Sequence, residues 1–289
     1  GIYVNLLENA NVERFHGRGI LVDKHTVAVS GQTITADRIL IAVGGWPSTP
    51  TIPGIEYAIS SNEAMELPDM PERIVIVGSG YIAVEFAGIF NSFGSKVDLA
   101  FRADKVLRGF DSDIRNTLTN EMMKKGINIL SETLPVRIEK MANDFKVHLT
   151  NHETIDADQV LYATGRAPNT SGLGLAEVGV QLDENGAITV DEWNKSNVDS
   201  IYAIGDVTNR INLTPVAISE GRAFSETLYN NNPIKTDYID VPSAVFSQPP
   251  IGSVGLSEHE AKESYKDIDV YLSSFRPMKY TMTNNTERG

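Results

Sequence analysis

The chain has 289 residues, 41% of them hydrophobic, and 25 Lys and Arg against 38 Asp and Glu give a formal charge of −13. This balance disfavours nucleic acid or an anionic membrane as a partner, and the apolar runs are strand-sized, far below the roughly 20 residues that cross a bilayer. The lack of cysteine excludes disulfides, thiolate metal sites and thiol catalysis within these residues. The length predicts two folding units or a little more.

The first part of the chain predicts a small antiparallel meander. Short β-rich runs at 19–22, 26–29 and 33–34 are separated by turn residues. Residues 38–43 follow as a nearly all-apolar strand, which is typical of burial on both faces. Residues 44–54 are dense in Gly and Pro and predict a loop that leaves one domain, with a boundary near residue 70.

A βαβ unit is predicted next, with a strand over 73–77, a helix over 81–93 and a second strand over 97–101. Gly94 is the expected end of the helix. Two later apolar strands, 158–163 and 200–204, run into further glycines, and loops at such strand ends carry function in open α/β sheets.

The rest of the chain predicts a hairpin, a helix and a change of texture. Residues 146–149 and 151–157 have the pattern of a hairpin. Thr214 as N-cap and Pro215 as first helical residue predict a helix to about residue 229. Short strands and turns from residue 238 predict a third, incomplete domain.

The strongest local motif is a G-x-G-x-x-A pattern between the predicted strand 73–77 and its helix. Gly78 would permit the tight turn, Gly80 would let the backbone approach a pyrophosphate, and Ala83 would let the helix pack closely on the strand. The pattern favours dinucleotide binding. The alternative is a helix start that merely uses glycine.

The next strand bears on which dinucleotide binds. It ends at Arg102, with Arg108 one loop later, and no acid occupies the strand end where a free ribose would be bound. Guanidinium groups pair well with phosphate, so the two arginines favour NADPH over NADH. The alternative is two solvated surface arginines.

Taken together and in order, the motifs resemble the glutathione reductase branch of the FAD-dependent pyridine nucleotide–disulfide oxidoreductases. The resemblance covers essentially the whole chain. The segments that carry it are residues 39–45, 78–88, 102–111, 163–169, 201–207, 213–217, 245–252 and 274–278.

The resemblance implies an α/β fold with two Rossmann-like nucleotide-binding domains, of which the FAD domain is discontinuous, and the start of an α+β dimerisation domain. Residues 1–70 would belong to the FAD-binding domain and 71–168 would form the NADPH-binding domain. Residues 169–237 would return to the FAD or central domain, and 238–289 would be part of the dimerisation domain.

The resemblance also implies roles around a flavin. Asp206 would accept hydrogen bonds from ribityl or ribose hydroxyls, or else be an ordinary turn aspartate. Thr214 would place its backbone N–H near the flavin pyrimidine edge, or simply cap its helix. The glycines assigned to cofactor binding are Gly44, Gly165 and Gly205.

Three further residues are implied in hydride transfer and substrate binding. Tyr81 resembles the gate over the nicotinamide face of the flavin, and Glu85 the carboxylate beside the nicotinamide, paired with a lysine outside these residues. Arg222 resembles the arginine that meets a carboxylate of glutathione disulfide, and trypanothione reductases lack it. Their alternatives are a turn aromatic, a solvated helix acid and a solvated helix cation.

Parts of the family pattern fall outside the chain. The first G-x-G-x-x-G and the C-x4-C disulfide would precede residue 1, and the His–Glu pair would follow residue 289, so the chain is interpreted as an internal fragment. The expected function is that of a cytoplasmic, homodimeric, FAD-containing, NADPH-dependent enzyme reducing glutathione disulfide, without a metal. Alternatives are a dihydrolipoamide dehydrogenase, a mercuric or trypanothione reductase-like enzyme, or a non-catalytic nucleotide-binding module.

Overall fold

The structure, a computed structural model, describes residues 1–283 and 286–288. The strands are β1 (Ile20–Asp23), β2 (Thr26–Val29), β3 (Gln32–Thr35), β4 (Ile39–Ile41), β5 (Gly45–Pro47), β6 (Arg73–Val77), β7 (Lys96–Ala100), β8 (Asn128–Leu130), β9 (Pro135–Lys140), β10 (Phe145–Leu149), β11 (Thr154–Ala157), β12 (Gln159–Tyr162), β13 (Arg166–Pro168), β14 (Ile201–Ala203), β15 (Ser243–Val245) and β16 (Ile251–Ser253). The α-helices are α1 (Ile2–Asn9), α2 (Ser61–Ala64), α3 (Tyr81–Ser92), α4 (Ser112–Lys124), α5 (Thr214–Tyr229) and α6 (Glu258–Ser264). Short 3-10 helices cover Ile55–Tyr57, Gly205–Thr208 and Met278–Tyr280.

The chain divides into two compact units. Unit 1 comprises residues 1–46 and 167–237, and unit 2 comprises residues 47–166 and 238–289. Each unit is therefore built from two stretches of chain that are distant in sequence. The functional names predicted for the domains stay predictions.

The central feature of unit 2 is a four-stranded parallel sheet in the order β12-β6-β7-β8. Successive residues of β6 point to opposite faces, and both faces are covered. Ile74 and Ile76 pack with α3 and α4, whereas Val75 and Val77 pack against the antiparallel sheet β11-β10-β9. This burial on both sides explains why residues 74–77 of β6 are all apolar.

The predicted βαβ unit is confirmed. β6 has the predicted bounds, and α3 ends at Ser92, where Gly94 at φ +95° turns the chain. The hairpin is confirmed as β10 and β11, and β9 adds a third strand that the sequence pattern did not predict.

Unit 1 contains the predicted meander as the antiparallel sheet β1-β2-β3. β4 and β14 pair in parallel, and Ile41, Ile201 and Ala203 lie in the core of this unit. The prediction that residues 38–43 are buried on both faces is wrong for this unit as described, because Leu40 is 36% exposed and Val43 is 42% exposed. Within the described residues β4 pairs with one strand, β14, so its other edge has no strand neighbour.

Two further expectations need correction. Residues 45–47 of the predicted loop form β5. The N-cap of α5 is Leu213 rather than Thr214, and no side chain caps this helix end. The carbonyl of Leu213 accepts the first helical hydrogen bonds, from Val216 and Ala217, which makes Thr214 the first helical residue. Proline is compatible with the first or the second helical position, because the N–H groups of these two positions have no carbonyl partner within the helix.

Residues 238–283 add the hairpin of β15 and β16 and the helix α6 to unit 2. Ser257 and Glu260 form a capping box at the start of α6. Among the described residues, no helix is both long and apolar enough to span a bilayer.

Candidate functional site

The turn between β6 and α3 requires glycine at its first position. Gly78 has φ +137°, and a Cβ there would lie 2.3 Å from the carbonyl oxygen of Ala163. That oxygen belongs to the backbone and follows β12, so a side chain could not be accommodated without moving the backbone at the end of that strand. The N–H of Gly78 donates to the carbonyl of Ala100 at 2.9 Å, which fixes the turn on the sheet.

Gly80 is different, because it faces open space. Its φ is −75°, and a Cβ there would meet no atom of the chain within 4 Å. Gly80 is the N-cap of α3, whose first turn has no side-chain cap and no acidic residue. Ala83, one turn further, is fully buried against the sheet. The helix thus presents its N–H groups and positive dipole end to the space in front of Gly80, which suits an anion.

The loop of residues 102–108, called the arginine loop below, is bonded directly to this turn. The backbone N–H of Leu107 donates to the carbonyl of Ser79 at 2.6 Å. Arg102 and Arg108, at the two ends of the loop, are both exposed. Unit 2 therefore brings the predicted pyrophosphate turn and the predicted 2′-phosphate arginines into one region.

Tyr81 and Glu85 lie one turn apart on α3. Tyr81 is the first helical residue and is 38% exposed. Glu85 is half-buried, and its Oε1 accepts the backbone N–H of Phe246 at 2.8 Å. This bond to a residue 161 positions away has no signature in the sequence, and it ties the β15–β16 hairpin to α3.

Gly165 follows β12 at the carboxyl edge of the same sheet. Its carbonyl accepts the N–H of Ser48 at 3.0 Å, and the hydroxyl of Thr164 donates to the carbonyl of Ser48 at 3.0 Å. These bonds hold the segment after β12 in place within unit 2.

In unit 1, Gly44 and Gly205 come shortly after the neighbouring parallel strands β4 and β14. Both therefore lie toward the carboxyl edge of that pair, where loops of open α/β sheets bind ligands. The N–H of Gly205 donates to Oε2 of Glu220 at 2.6 Å.

Glu220 is a buried acid that the sequence analysis missed. It is 1% exposed, and its Oε1 lies 3.0 Å from Nη2 of Arg210. Nη2 of Arg210 also donates to the side-chain oxygen of Asn194. The helical period could have predicted this burial, because Val216, Glu220 and Phe224 follow one another at intervals of four residues and share the buried face of α5. Glu220 links that helix to the loop that starts at Gly205.

Asp206 and Thr214 stand on either side of the loop that joins β14 to α5. Asp206 is half-buried in the 3-10 helix Gly205–Thr208, and Thr214 is exposed at the start of α5. The first turn of α5 has neither a side-chain cap nor an acidic residue. Pro215 has no N–H and the N–H of Val216 donates to the carbonyl of Leu213, so the N–H that this turn offers to an electron-rich ligand edge is that of Thr214.

Arg222 is exposed on α5, about two turns after the start of that helix. One turn later, the pKa of Glu226 is lowered, chiefly by hydrogen bonds from Asn232 and Asn230, with a smaller contribution from the charge of Arg222. The arginine thus presents a cation at the surface of unit 1.

These residues fit the two cofactors that the motifs imply. In unit 2, a glycine that faces open space, an uncapped helix N-terminus and two exposed arginines suit a dinucleotide with an additional phosphate. In unit 1, a carboxylate that can accept hydroxyl hydrogen bonds and a second uncapped helix N-terminus suit FAD.

Comparison with known proteins defines the class. Residues 2–221 match the family described as pyridine nucleotide-disulphide oxidoreductase, and residues 241–289 match the dimerisation domain of the same group. The chain belongs to the pyridine nucleotide-disulphide oxidoreductase family.

The relatives carry two names, glutathione reductase and trypanothione reductase. The chain is 52% identical to glutathione reductase, chloroplastic/mitochondrial, of Pisum sativum, over 100% of the chain and 52% of that protein. It is 46% identical to glutathione reductase of Burkholderia cepacia, over 100% of the chain and 64% of that protein. It is 45% identical to trypanothione reductase of Trypanosoma congolense, over 96% of the chain and 59% of that protein. The chain thus spans about half to two thirds of the length of the relatives it matches.

Among solved structures, the HOCl-induced flavoprotein disulfide reductase RclA from Escherichia coli matches with a TM-score of 0.86 and 30% identity. The match covers 94% of this chain and 64% of that one. The fold of the chain is therefore similar to that of this flavoprotein disulfide reductase, in agreement with the family assignment.

Proposed function

We propose that this chain is part of an FAD-containing, NADPH-dependent reductase of glutathione disulfide. The reaction would convert NADPH, one proton and glutathione disulfide into NADP⁺ and two molecules of glutathione. The observation that carries the proposal is the bond from Leu107 to Ser79, which brings the arginine loop onto a dinucleotide-type glycine turn. The relatives named glutathione reductase, at 52% and 46% identity over the whole chain, support it.

NADPH would bind in unit 2. The N–H groups at the start of α3, beyond Gly80, would hold the pyrophosphate, and Ala83 lets the helix pack closely enough to present them. Arg102 and Arg108 would pair with the 2′-phosphate. Tyr81 and Glu85, on the first two turns of the same helix, and Gly165 would line the nicotinamide end.

FAD would bind in unit 1. When bound, it would accept a hydride equivalent from NADPH and pass two electrons to a redox disulfide. Asp206 would accept hydrogen bonds from its hydroxyl groups, and Gly44 and Gly205 would let the backbone come close to it. The start of α5 would stabilise negative charge with the N–H of Thr214 and with the helix dipole.

The disulfide substrate would be anionic. Arg222 is an exposed cation on α5, and it would attract a carboxylate of glutathione disulfide. A trypanothione reductase is the second candidate, because two relatives of that name are 45% and 42% identical to the chain. Charge complementarity separates the two, since a cationic substrate would be repelled by Arg222.

The assembly would be a homodimer, a proposal that the dimerisation-domain match at residues 241–289 supports. A cytoplasmic location is proposed as well. Analytical ultracentrifugation of the full-length protein tests the first, and fractionation of cells of the source organism tests the second.

The direct test follows the flavin absorbance and NADPH oxidation of the full-length protein, with and without glutathione disulfide. We expect a yellow protein with turnover that depends on this disulfide. Turnover with trypanothione disulfide alone would replace the substrate proposal by the second candidate. A protein that takes up neither flavin nor NADPH would contradict the proposal as a whole.

A further inference from the structure

The side chain of Arg115 on α4 forms hydrogen bonds with the middle of the arginine loop. Nε of Arg115 donates to the carbonyl of Val106 at 2.9 Å, and Nη2 donates to the carbonyl of Lys105 at 3.2 Å. The same Nη2 lies 3.0 Å from Oδ1 of Asp104. The Arg115 side chain is only 18% exposed. Three consecutive loop residues therefore depend on one guanidinium.

The residues on either side of this stretch, Ala103 and Leu107, are held by backbone hydrogen bonds to other parts of unit 2. The N–H of Glu132 donates to the carbonyl of Ala103 at 3.1 Å, and the N–H of Leu107 donates to Ser79. Leu107 has φ +54° with its side chain buried, a backbone conformation that is unfavourable for a residue other than glycine. Such a conformation persists only when its surroundings impose it. The path of the loop from 103 to 107 is thus imposed by contacts.

Arg102 and Arg108 lie just outside this clamped stretch, one at each end, and both are exposed. Their backbone positions follow from the path between them. If the middle of the loop becomes mobile, the distance between the backbones of Arg102 and Arg108 is no longer fixed, and neither is the distance between their guanidinium groups. A phosphate that needs both would lose one of its partners, whereas a ligand without that phosphate would lose nothing.

We propose that Arg115 is a positioning residue that sets the preference for NADPH over NADH by holding residues 104–106 and thereby placing Arg102 and Arg108. The inference rests on the proposed NADPH site and deepens it. Arg115 itself would not touch the ligand, because its donors are turned toward loop carbonyls and Asp104.

The contribution of Arg115 is geometric rather than a matter of net charge. Its charge is compensated by Asp104 at 3.0 Å, so little of it extends to a ligand phosphate. A lysine would keep the charge, but its single ammonium cannot reproduce a planar fork that reaches successive acceptors. The Arg115→Lys variant therefore distinguishes a positioning role from an effect of the positive charge alone.

The test uses the full-length protein as wild type, Arg115→Lys, Arg115→Met and the control Arg137→Met. Arg137 is an arginine of β9 that pairs with Glu139 and is 49% exposed, so the control removes the same charge from unit 2 away from the loop. Dissociation constants for NADP⁺ and NAD⁺ are measured by isothermal titration calorimetry, alongside kcat/KM for NADPH and NADH. The thermal midpoint and the flavin spectrum verify that each variant is folded.

Both Arg115 variants are expected to weaken NADP⁺ by about tenfold or more, the scale of one lost charge-assisted hydrogen bond, while NAD⁺ stays within about twofold. The control should change neither constant. An unchanged NADP⁺/NAD⁺ ratio in Arg115→Lys would overturn the positioning role, and equal losses for both ligands would reduce Arg115 to general support of the domain. A wild-type protein that does not prefer NADP⁺ would instead overturn the cofactor assignment, and this inference with it.

Discussion

A Cβ on Gly78 would lie 2.3 Å from the carbonyl oxygen of Ala163, whereas a Cβ on Gly80, two residues later, would meet nothing within 4 Å. The two glycines of one motif are thus required for different reasons. Gly78 is needed by the fold, because its neighbour is the backbone after β12. Gly80 is not needed by the fold, and its openness is useful only to a ligand.

This difference predicts opposite outcomes for two matched substitutions in the full-length protein. Gly80→Ala should keep the thermal midpoint of the wild type but raise KM for NADPH by about tenfold or more, because its methyl group occupies the space of the pyrophosphate. Gly78→Ala should lower the thermal midpoint as well, since it combines a clash with φ +137°. Differential scanning fluorimetry and steady-state kinetics measure both effects. A Gly80→Ala protein with unchanged KM would mean that the dinucleotide does not approach this turn.

The arginine loop predicts a change in cofactor choice. Arg102→Glu combined with Arg108→Ala should weaken NADPH by about 100-fold, because two charge-assisted contacts are lost and one is made repulsive. NADH should be affected far less. Comparing kcat/KM for the two nucleotides decides the matter, and equal losses would rule out a 2′-phosphate site at these residues.

The buried acid on α5 predicts a stability effect. Glu220→Gln leaves Arg210 without its carboxylate, and breaking such a buried pair typically costs about 3–5 kcal/mol. We expect a clear drop in thermal midpoint together with loss of flavin from the Gly205 loop. Glu192→Gln is the matched control, because the pair of Glu192 with Lys235 is exposed and should be worth less than about 1 kcal/mol. A Glu220→Gln protein as stable as the control would show that the pair does not hold the loop.

The contact between Arg73 and Asp158 predicts a dependence on pH. A hydrogen bond from Arg73 is the largest cause that lowers the pKa of Asp158 from its ordinary value of 3.8. Because the folded pKa is the lower one, this contribution is fully present above about pH 4 and is lost as the pH falls through the folded pKa.

Asp158→Asn should therefore be less stable than wild type at pH 7, and the difference should narrow on acidification toward pH 3. Urea unfolding across this range, followed by circular dichroism, measures it. Asp156→Asn, a change at an exposed residue of the adjacent strand β11, is the control and should follow the wild-type curve. If the stability difference between wild type and the Asp158→Asn variant stays constant with pH, the ion pair with Arg73 is not its source.

Arg222 predicts a substrate effect that leaves the reductive half-reaction unchanged. Arg222→Ala should raise KM for glutathione disulfide by about tenfold, the scale of one charge-assisted contact, while the rate of flavin reduction by NADPH stays the same. Stopped-flow absorbance separates the two steps. Arg14→Ala, which removes an arginine paired with Glu8, is the charge control. Unchanged KM in Arg222→Ala would assign the disulfide site elsewhere.

The parts of the fold that the sequence predicted well are those whose causes are local. The strand at 73–77 follows from an apolar run and the helix after it from a glycine turn and a helical period, and Gly94 ends that helix with a positive φ. The exposure of Leu40 could not be predicted, because an apolar run does not reveal how many layers cover it. The N-terminal register of α5 was one residue off, since Thr214 and Pro215 are both acceptable at neighbouring first-turn positions.

The amino-acid sequence by itself determined the order of motifs, the two glycines of the turn and the arginines at 102 and 108, because these depend on residue type and short spacing. Only the tertiary structure decided what holds them. Glu85 accepts the N–H of Phe246, and Arg115 grips three consecutive residues of a loop. Side-chain contacts with backbone groups carry no pattern in the chain, since every residue but proline offers the same N–H and every residue the same C=O, and folding alone selects which ones meet.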